Sequence, residues 1–166
     1  LHSTSRRQRQ MCKETGYNYG EIDAFENFGK LDTVKSNLHI WGPGSQHENV
    51  LGANGSIINL SPGTTNPEPF YKGYHTIGVN WQRGRFDFYV DGTLSQSFIY
   101  DPEEMKYSCY DNPFYLILSH WGGHDEEAFI NTGCILPNDF TETEICYDWI
   151  RIYQRENDGS LLYVKK

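Results

Sequence analysis

Apolar and polar residues alternate over short stretches of this 166-residue chain, and turn-forming residues separate those stretches. The clearest alternation runs through residues 75–81 and 86–90, on either side of Gln82-Arg83-Gly84, and Asp91-Gly92 follows as a second tight turn. Side chains of a strand point alternately to the two faces of a sheet, so this pattern predicts antiparallel strands joined by hairpins. A further strand is predicted by the alternation of residues 34–41, with one face formed by Val34, Ser36, Leu38 and Ile40.

Other segments complete an all-β pattern. Residues 114–119 are a nearly continuous apolar run, which predicts a central strand buried on both faces, and residues 145–153 predict a last strand. Residues 42–73 are rich in Gly and Pro and predict a long irregular stretch, while the polar residues 101–113 predict a loop. No segment has the periodicity of a long helix. We therefore expect one domain over residues 1–166, built as an antiparallel β-sandwich.

The most informative stretch for function is Gly20 to Asn27, which holds Glu21, Asp23 and Glu26. Strict alternation places Glu26 on the opposite face from the other two carboxylates. A β-bulge at Ala24-Phe25 would return Glu26 to their face, and such bulges occur beside active sites. Crowded carboxylates repel each other, so at least one should keep its proton near neutral pH. A charged and a protonated carboxyl group together perform glycoside hydrolysis, so one interpretation of this stretch is a glycosidase active site. The alternative interpretation is that the acidic residues form the solvated face of a half-buried strand.

The spacing Glu-x-Asp-x-x-Glu after a glycine resembles the signature of family 16 glycoside hydrolases, the laminarinase and agarase group. Segments that resemble the same family follow in the same order at residues 74–92, 115–119 and 147–154. The resemblance implies a concanavalin A-like jelly roll with a long cleft on its concave face. In that family several strands precede the catalytic strand, so we expect this chain to be N-terminally incomplete.

The resemblance also implies roles for individual residues. Glu21 is expected to be the nucleophile, Glu26 the acid/base, and Asp23 the residue that hydrogen-bonds and orients Glu21. His39 lies on the next strand, where it either bonds a catalytic carboxylate or the sugar, or serves a buried polar group. Trp41 shares the predicted face of His39 and is a candidate stacking ring for a sugar.

Three later positions are less settled. His120 and Trp121 stand where laminarinase-like members usually carry a small aliphatic pair; they either contact the sugar or pack under a loop. Asp148 occupies a position that often helps hold a structural calcium ion in the family. No cofactor is expected for catalysis itself.

The bulged form of the motif implies a particular group of substrates. Laminarinases, agarases, porphyranases and carrageenases share it, whereas mixed-linkage glucanases and xyloglucan-active enzymes have the shorter form. We expect a retaining, endo-acting hydrolase of a β-linked polysaccharide, with β-1,3-glucan as the first choice. A red-algal galactan is the alternative, because of His120-Trp121 and the basic residues 6–13. A transglycosylase and a non-catalytic glycan-binding module are further alternatives.

Composition limits the partners of the chain. Its net charge of −8, from 14 basic and 22 acidic residues, argues against a nucleic acid or an anionic membrane as partner. Its polysaccharide substrate is the expected partner, and we expect a monomer. Four cysteines allow three disulfide pairings if all are oxidised, and none has the spacing of a zinc site. The resemblance implies secretion or a periplasmic location, where disulfides persist.

Overall fold

The computed structural model describes residues 19–27, 33–43, 46–51, 56–59, 70–119, 144–155 and 161–164. The chain forms two compact units, of which the first contains residues 1–117 and 123–135 and the second residues 118–122 and 136–166. The first unit holds strands β1 (Tyr19–Glu26), β2 (Thr33–Trp41), β3 (His47–Asn49), β4 (Ser56–Asn59), β5 (Ile77–Gln82), β6 (Arg85–Val90) and β7 (Thr93–Ile99). It also holds short 3-10 helices at Phe70–Lys72 and Met105–Asp111. Strands β8 (Ile152–Arg155) and β9 (Leu161–Val164) belong to the second unit.

The first sheet is organised around β2. Strand β1 pairs antiparallel with one edge of β2, and β3 and β4 both pair antiparallel with β2 as well. The predicted alternation of β2 is confirmed, because Val34, Ser36, Leu38 and Ile40 are all buried. The other face of β2 carries polar residues and Trp41, and this is the face on which the candidate site lies.

The second sheet is a three-stranded meander in the order β5-β6-β7. The predicted hairpin is confirmed: β5 and β6 pair antiparallel around a two-residue turn in which Gly84 has a φ of 86°. Asp91 and Gly92 then connect β6 to β7, with φ values of 50° and 75°. Both turn residues are in the left-handed region, which suits the right-handed twist of a two-residue hairpin.

The two sheets of the first unit share one core. Strand β2 contributes Leu38 and Ile40, strand β6 contributes Phe86 and Phe88, and Tyr100 follows β7. The 3-10 helix adds three more buried side chains, Tyr107, Cys109 and Tyr110. The prediction of an all-β, antiparallel sandwich is therefore confirmed, whereas the prediction of a plain loop over residues 101–113 is wrong. The segment exposes most of its polar side chains, but it also buries Tyr107 and Tyr110 in the core.

Two strand predictions are also corrected. Residues 114–119 form no strand, and Leu116 and Ile117 expose 60% and 59% of their surface. A run of apolar residues becomes a buried strand only where other elements cover it, and no described strand pairs with this run. In the second unit, β8 begins only at Ile152 and pairs antiparallel with β9. None of the helices in the described residues is long and apolar enough to cross a membrane.

The cysteines give no described disulfide. Cys109 is buried and free, and burial raises the pKa of its thiol to about 12. The thiol of Cys146 donates a hydrogen bond to Glu144 Oε1 at 2.9 Å. Cys12 and Cys134 lie outside the described residues.

Candidate active site

A β-bulge in β1 determines which carboxylates share a face. Glu21 pairs with His39 and Asp23 with Asn37, and the register then shifts so that Glu26 pairs with Lys35. Two residues of β1, Ala24 and Phe25, therefore lie opposite a single residue of β2, which is Ser36. The Ser36 hydroxyl donates a hydrogen bond to the carbonyl oxygen of Ala24 at 3.0 Å, and this bond supports the irregular backbone. Directly opposed residues share a face, so Glu21, Asp23 and Glu26 project from the same side of the sheet. We call these three residues the acidic triad.

The opposite face of β1 rests on the core. Ile22 packs against the core cluster, and Gly20 lies so close to Tyr110 that an added Cβ would be 2.6 Å from the ring carbon Cε1. The Tyr110 hydroxyl donates a hydrogen bond to the carbonyl oxygen of His39 at 3.1 Å. Tyr110 thus contacts both β1 and β2 on the core face of the sheet, the face opposite to the acidic triad.

A histidine connects the acidic triad to the third strand. His39 Nε2 lies 2.8 Å from Asp23 Oδ2, and both side chains are largely buried, with exposed fractions of 15% and 17%. His39 Nδ1 lies 2.8 Å from Nε2 of His47, which is exposed on β3. Of the two roles considered for His39, the structure shows a bond to a carboxylate of the triad. Asp23, His39 and His47 form a continuous chain from the triad towards solvent.

Glu26 is the member of the triad whose environment disfavours charge. Burial, followed by the negative charge of Asp23, raises the pKa of Glu26 above its usual range. The Lys35 ammonium opposes this shift, at 3.4 Å from Glu26 Oε2. That oxygen is buried and has no hydrogen-bond partner among the described residues, so the Lys35 contact is an ion pair without hydrogen-bond geometry. A carboxyl group in this position tends to hold a proton.

The nearby negative charges also raise the pKa of His39, whereas burial, which raises the pKa of Glu26, lowers that of His39. Burial is the largest effect and lowers the pKa of His39, but the hydrogen bond and charge of Asp23 outweigh it, with help from Glu21 and Glu26. The net result is a raised pKa. A positive charge on His39 would therefore be held beside the acidic triad, where it offsets part of the mutual repulsion of the carboxylates.

Aromatic rings continue the polar face away from the triad. Trp41 stacks on Tyr19 with ring centroids 5.6 Å apart and on His47 at 4.7 Å. It also lies 5.7 Å from the ring of His39. Sugar rings present apolar C–H faces, so a row of stacked aromatic side chains next to carboxylates is a suitable surface for a polysaccharide.

The sequence match agrees with this geometry. The model of the glycosyl hydrolases family 16 matches residues 10–135, about three quarters of the chain. The chain belongs to glycosyl hydrolase family 16. The family consists of glycoside hydrolases of β-linked glycans on a β-sandwich jelly roll. No curated protein and no solved structure matches the chain.

Most of the sequence-predicted site residues in this family 16 chain lie together. The structure places the acidic triad, His39 and Trp41 on one face of the first sheet. His120 and Trp121 fall outside the described residues, so their predicted contact with sugar stays a prediction.

The predicted calcium position gains no support. Asp148 is exposed in the second unit, and among the described residues no group of three or more His, Cys, Asp or Glu could hold a metal ion. The calcium ion therefore stays a prediction of the resemblance.

Sequence reasoning missed three residues of the site in this family 16 domain: Tyr19, Lys35 as the partner of Glu26, and His47. Each contacts the site across a strand pair, so only the register of β1, β2 and β3 reveals it. His47 in particular lies within a Gly- and Pro-rich stretch that has no clear alternation.

Proposed function

We propose that this chain is a retaining, endo-acting glycoside hydrolase in which Glu21 is the nucleophile and Glu26 the acid/base. The single observation that supports this most is the bulge, which directs Glu21, Asp23 and Glu26 to one face. The raised pKa of Glu26 supports the acid role, because a general acid has to hold its proton at the working pH. Asp23 is the positioning residue between them.

The proposed reaction follows the double displacement of retaining glycosidases. Glu21 attacks the anomeric carbon while Glu26 transfers its proton to the departing glycosidic oxygen, which gives a glycosyl-enzyme and a shortened chain. Glu26, now a carboxylate, takes a proton from water, and that water releases the sugar from Glu21. Retaining enzymes hold the two carboxyl groups about 5–5.5 Å apart, a separation that a bulged strand can provide between residues five positions apart.

Asp23 has a partner that refines its role. Its carboxylate accepts a hydrogen bond from His39, whose ring is in turn held by His47. Asp23 is thereby fixed between the two glutamates, and its charge raises the pKa of Glu26. We infer that Asp23 keeps the acid protonated as well as orienting the nucleophile.

We propose a β-1,3-glucan as the substrate. The bulged motif is shared by laminarinase-like members of the family, and the row of rings around Trp41 supports binding of a glycan chain beside the acidic triad. Agarose, porphyran and carrageenan are the substrates that the same experiment compares, since enzymes for those galactans have the bulged motif too.

The decisive experiment measures the size of products from laminarin, agarose, porphyran and carrageenan, with wild-type protein and Glu21→Gln. We expect shortened oligosaccharides from laminarin, with the β-configuration retained in the first product seen by NMR. Glu21→Gln should lower turnover by at least about 10³-fold while the unfolding midpoint stays close to that of the wild type.

A matched control is Glu48→Gln, because Glu48 lies on β3 and pairs with Lys106 at 3.2 Å rather than with the triad. It should keep turnover within about twofold of wild type. Full activity in Glu21→Gln would refute the assignment of the nucleophile. Binding of glycans without cleavage by the wild-type protein would favour a binding module instead.

A further inference from the structure

The two histidines next to the acidic triad are joined edge to edge. Their facing nitrogens, Nδ1 of His39 and Nε2 of His47, lie 2.8 Å apart. The ring centroids are 5.0 Å apart and the ring planes differ by 16°. The centroid distance equals about the sum of the 2.8 Å between the nitrogens and the distances from each nitrogen to the centre of its own ring. The two nitrogens therefore lie on the line between the ring centres, and with the small angle between the planes this makes the rings nearly coplanar. This is the geometry of a direct imidazole–imidazole hydrogen bond rather than of a face-to-face stack.

Such a bond has room for one hydrogen only. When both rings are neutral, His39 donates from Nε2 to Asp23, and His47 donates from Nε2 to the bare Nδ1 of His39. One extra proton is also accommodated: it resides on either ring, and the hydrogen between the rings is donated from whichever side carries it. With two extra protons both facing nitrogens carry hydrogens, and the bond is lost to repulsion between two cations.

We propose that His47 is a positioning residue that holds His39 against Asp23, and that the two imidazoles act as one unit, which carries at most one extra proton beside the acidic triad for as long as the hydrogen bond between the rings is kept. The kinetic part of this proposal rests on the hydrolase function proposed above. The titration part does not, since it follows from the contact between the rings alone.

The charged groups around the pair are consistent with a single extra proton. Of the described residues, β1 supplies Asp23, Glu21 and Glu26, whose negative charges all favour a cationic His39. Strand β2 supplies Lys35, whose ammonium is paired with Glu26. On β3, the neighbour of His47 is Glu48, which pairs with Lys106. One positive charge on the pair is thus well compensated.

The pair has a consequence for catalysis. A positive charge on His39 lowers the pKa of Glu26, against the effect of burial and of Asp23. As pH rises and the pair loses its extra proton, this opposing effect disappears and the acid holds its own proton more tightly. A lone His39 would lose its positive charge at a lower pH than the pair does. The pair therefore keeps the pKa of Glu26 lower over a wider pH range, and it should move the alkaline limb of the activity profile to lower pH.

The first test follows the imidazole resonances of the protein by NMR against pH. In the wild type we expect the signals of His39 and His47 to change together in two well-separated steps. In His47→Gln, whose amide can still bond His39 Nδ1, His39 should keep its tautomer and titrate in one step. That step should lie below the upper step of the wild type, because the extra proton then has one ring available instead of two.

The second test compares His47→Ala, which removes the bond, with His47→Gln, which keeps it. With laminarin as substrate, kcat/KM of His47→Ala should fall by about tenfold, whereas His47→Gln should stay within about threefold and keep its activity to a higher pH than the wild type. Glu48→Gln, on the same strand but directed away from the pair, should match the wild type.

The two tests fail in different ways. Independent one-step titration of His39 and His47 in the wild type would overturn the shared proton. Unchanged kinetics and pH profile in His47→Ala would overturn the positioning role. If the wild-type protein cleaves no glycan, the proposed hydrolase function fails, while the titration result still decides whether the pair exists as described.

Discussion

Replacement of Gly20 by alanine tests how closely β1 packs against Tyr110 of the core. A Cβ at this position would lie 2.6 Å from Tyr110 Cε1, 2.9 Å from Tyr110 Cδ1 and 3.1 Å from Cys109 Sγ. The Tyr110 ring cannot yield easily, because it is 1% exposed, packs edge-on against Phe86 at 5.0 Å and donates to the carbonyl of His39. Either β1 lifts from the core or the ring moves and loses these contacts.

The magnitude follows from two opposing effects. Forcing a methyl group into a filled core costs about 1–3 kcal/mol of the free energy of unfolding. Restricting the unfolded chain by a Gly→Ala change returns about 0.4–1 kcal/mol. Subtracting the second range from the first leaves a net loss of between about 0 and about 2.6 kcal/mol. The clash is the larger effect at contacts this short, so we expect Gly20→Ala to lose about 1–2 kcal/mol, within that span.

Urea unfolding measures this loss, and Gly78→Ala is the matched control. Gly78 is also inside a strand, yet the nearest atom to its added Cβ is Tyr89 Cβ at 3.6 Å, an ordinary contact. The midpoint of Gly20→Ala should fall by about 0.5–1 M, given the usual dependence on denaturant, while Gly78→Ala should be neutral or slightly stabilised. An equal response of the two variants would refute the argument that Tyr110 excludes a side chain at Gly20.

Two further predictions concern the pH dependence of stability. Hydrogen bonds from Arg85, then from Ser97, lower the pKa of Asp87, so its contribution to stability is complete above the ordinary Asp pKa and disappears as pH falls through the lowered value. Asp87→Asn should therefore unfold more easily than wild type at neutral pH, with the difference shrinking in acid; a constant difference would contradict the linkage. Glu26 has a raised pKa, so its ionisation penalises the fold as pH rises past its ordinary value of 4.5, and the penalty is complete above the raised pKa. Glu26→Gln should be inactive yet unfold at a higher urea concentration than wild type above that pH, and an equal or lower midpoint there would contradict the burial argument.

The parts of the fold that could be predicted are those encoded by neighbouring residues. Strand β2 and the hairpin of β5 and β6 follow the alternation of apolar and polar residues almost to the residue. The first part of β7 has no alternation of apolar and polar residues, because most of its residues are polar, and its formation depends on pairing with β6. The 3-10 helix at Met105–Asp111 was missed because it buries residues at irregular intervals, which resembles neither a strand nor an α-helix.

The candidate site divides in the same way. The bulge was predictable because three acidic residues on β1 share a face only if one residue is inserted between Asp23 and Glu26. The contact of His39 with Asp23 was one of two readings, and alternation alone could not choose between them. His47 could not be found at all, because its contact depends on the pairing of β3 with β2 rather than on its sequence neighbours.

The bulge and the histidines have opposing effects on the charge at the acidic triad. Bringing Glu26 to the face of Glu21 and Asp23 concentrates negative charge, and burial makes the charged form of Glu26 still less favourable. The acid/base role proposed for Glu26 needs that raised pKa, but the fold has to tolerate the repulsion among all three carboxylates. Lys35 and His39 supply nearby positive charge, and only His39 can withdraw its charge as pH rises. A titratable partner on the neighbouring strand is therefore better suited to the proposed role of Glu26 than a second lysine, because a permanent cation would lower the pKa of Glu26 throughout the neutral pH range.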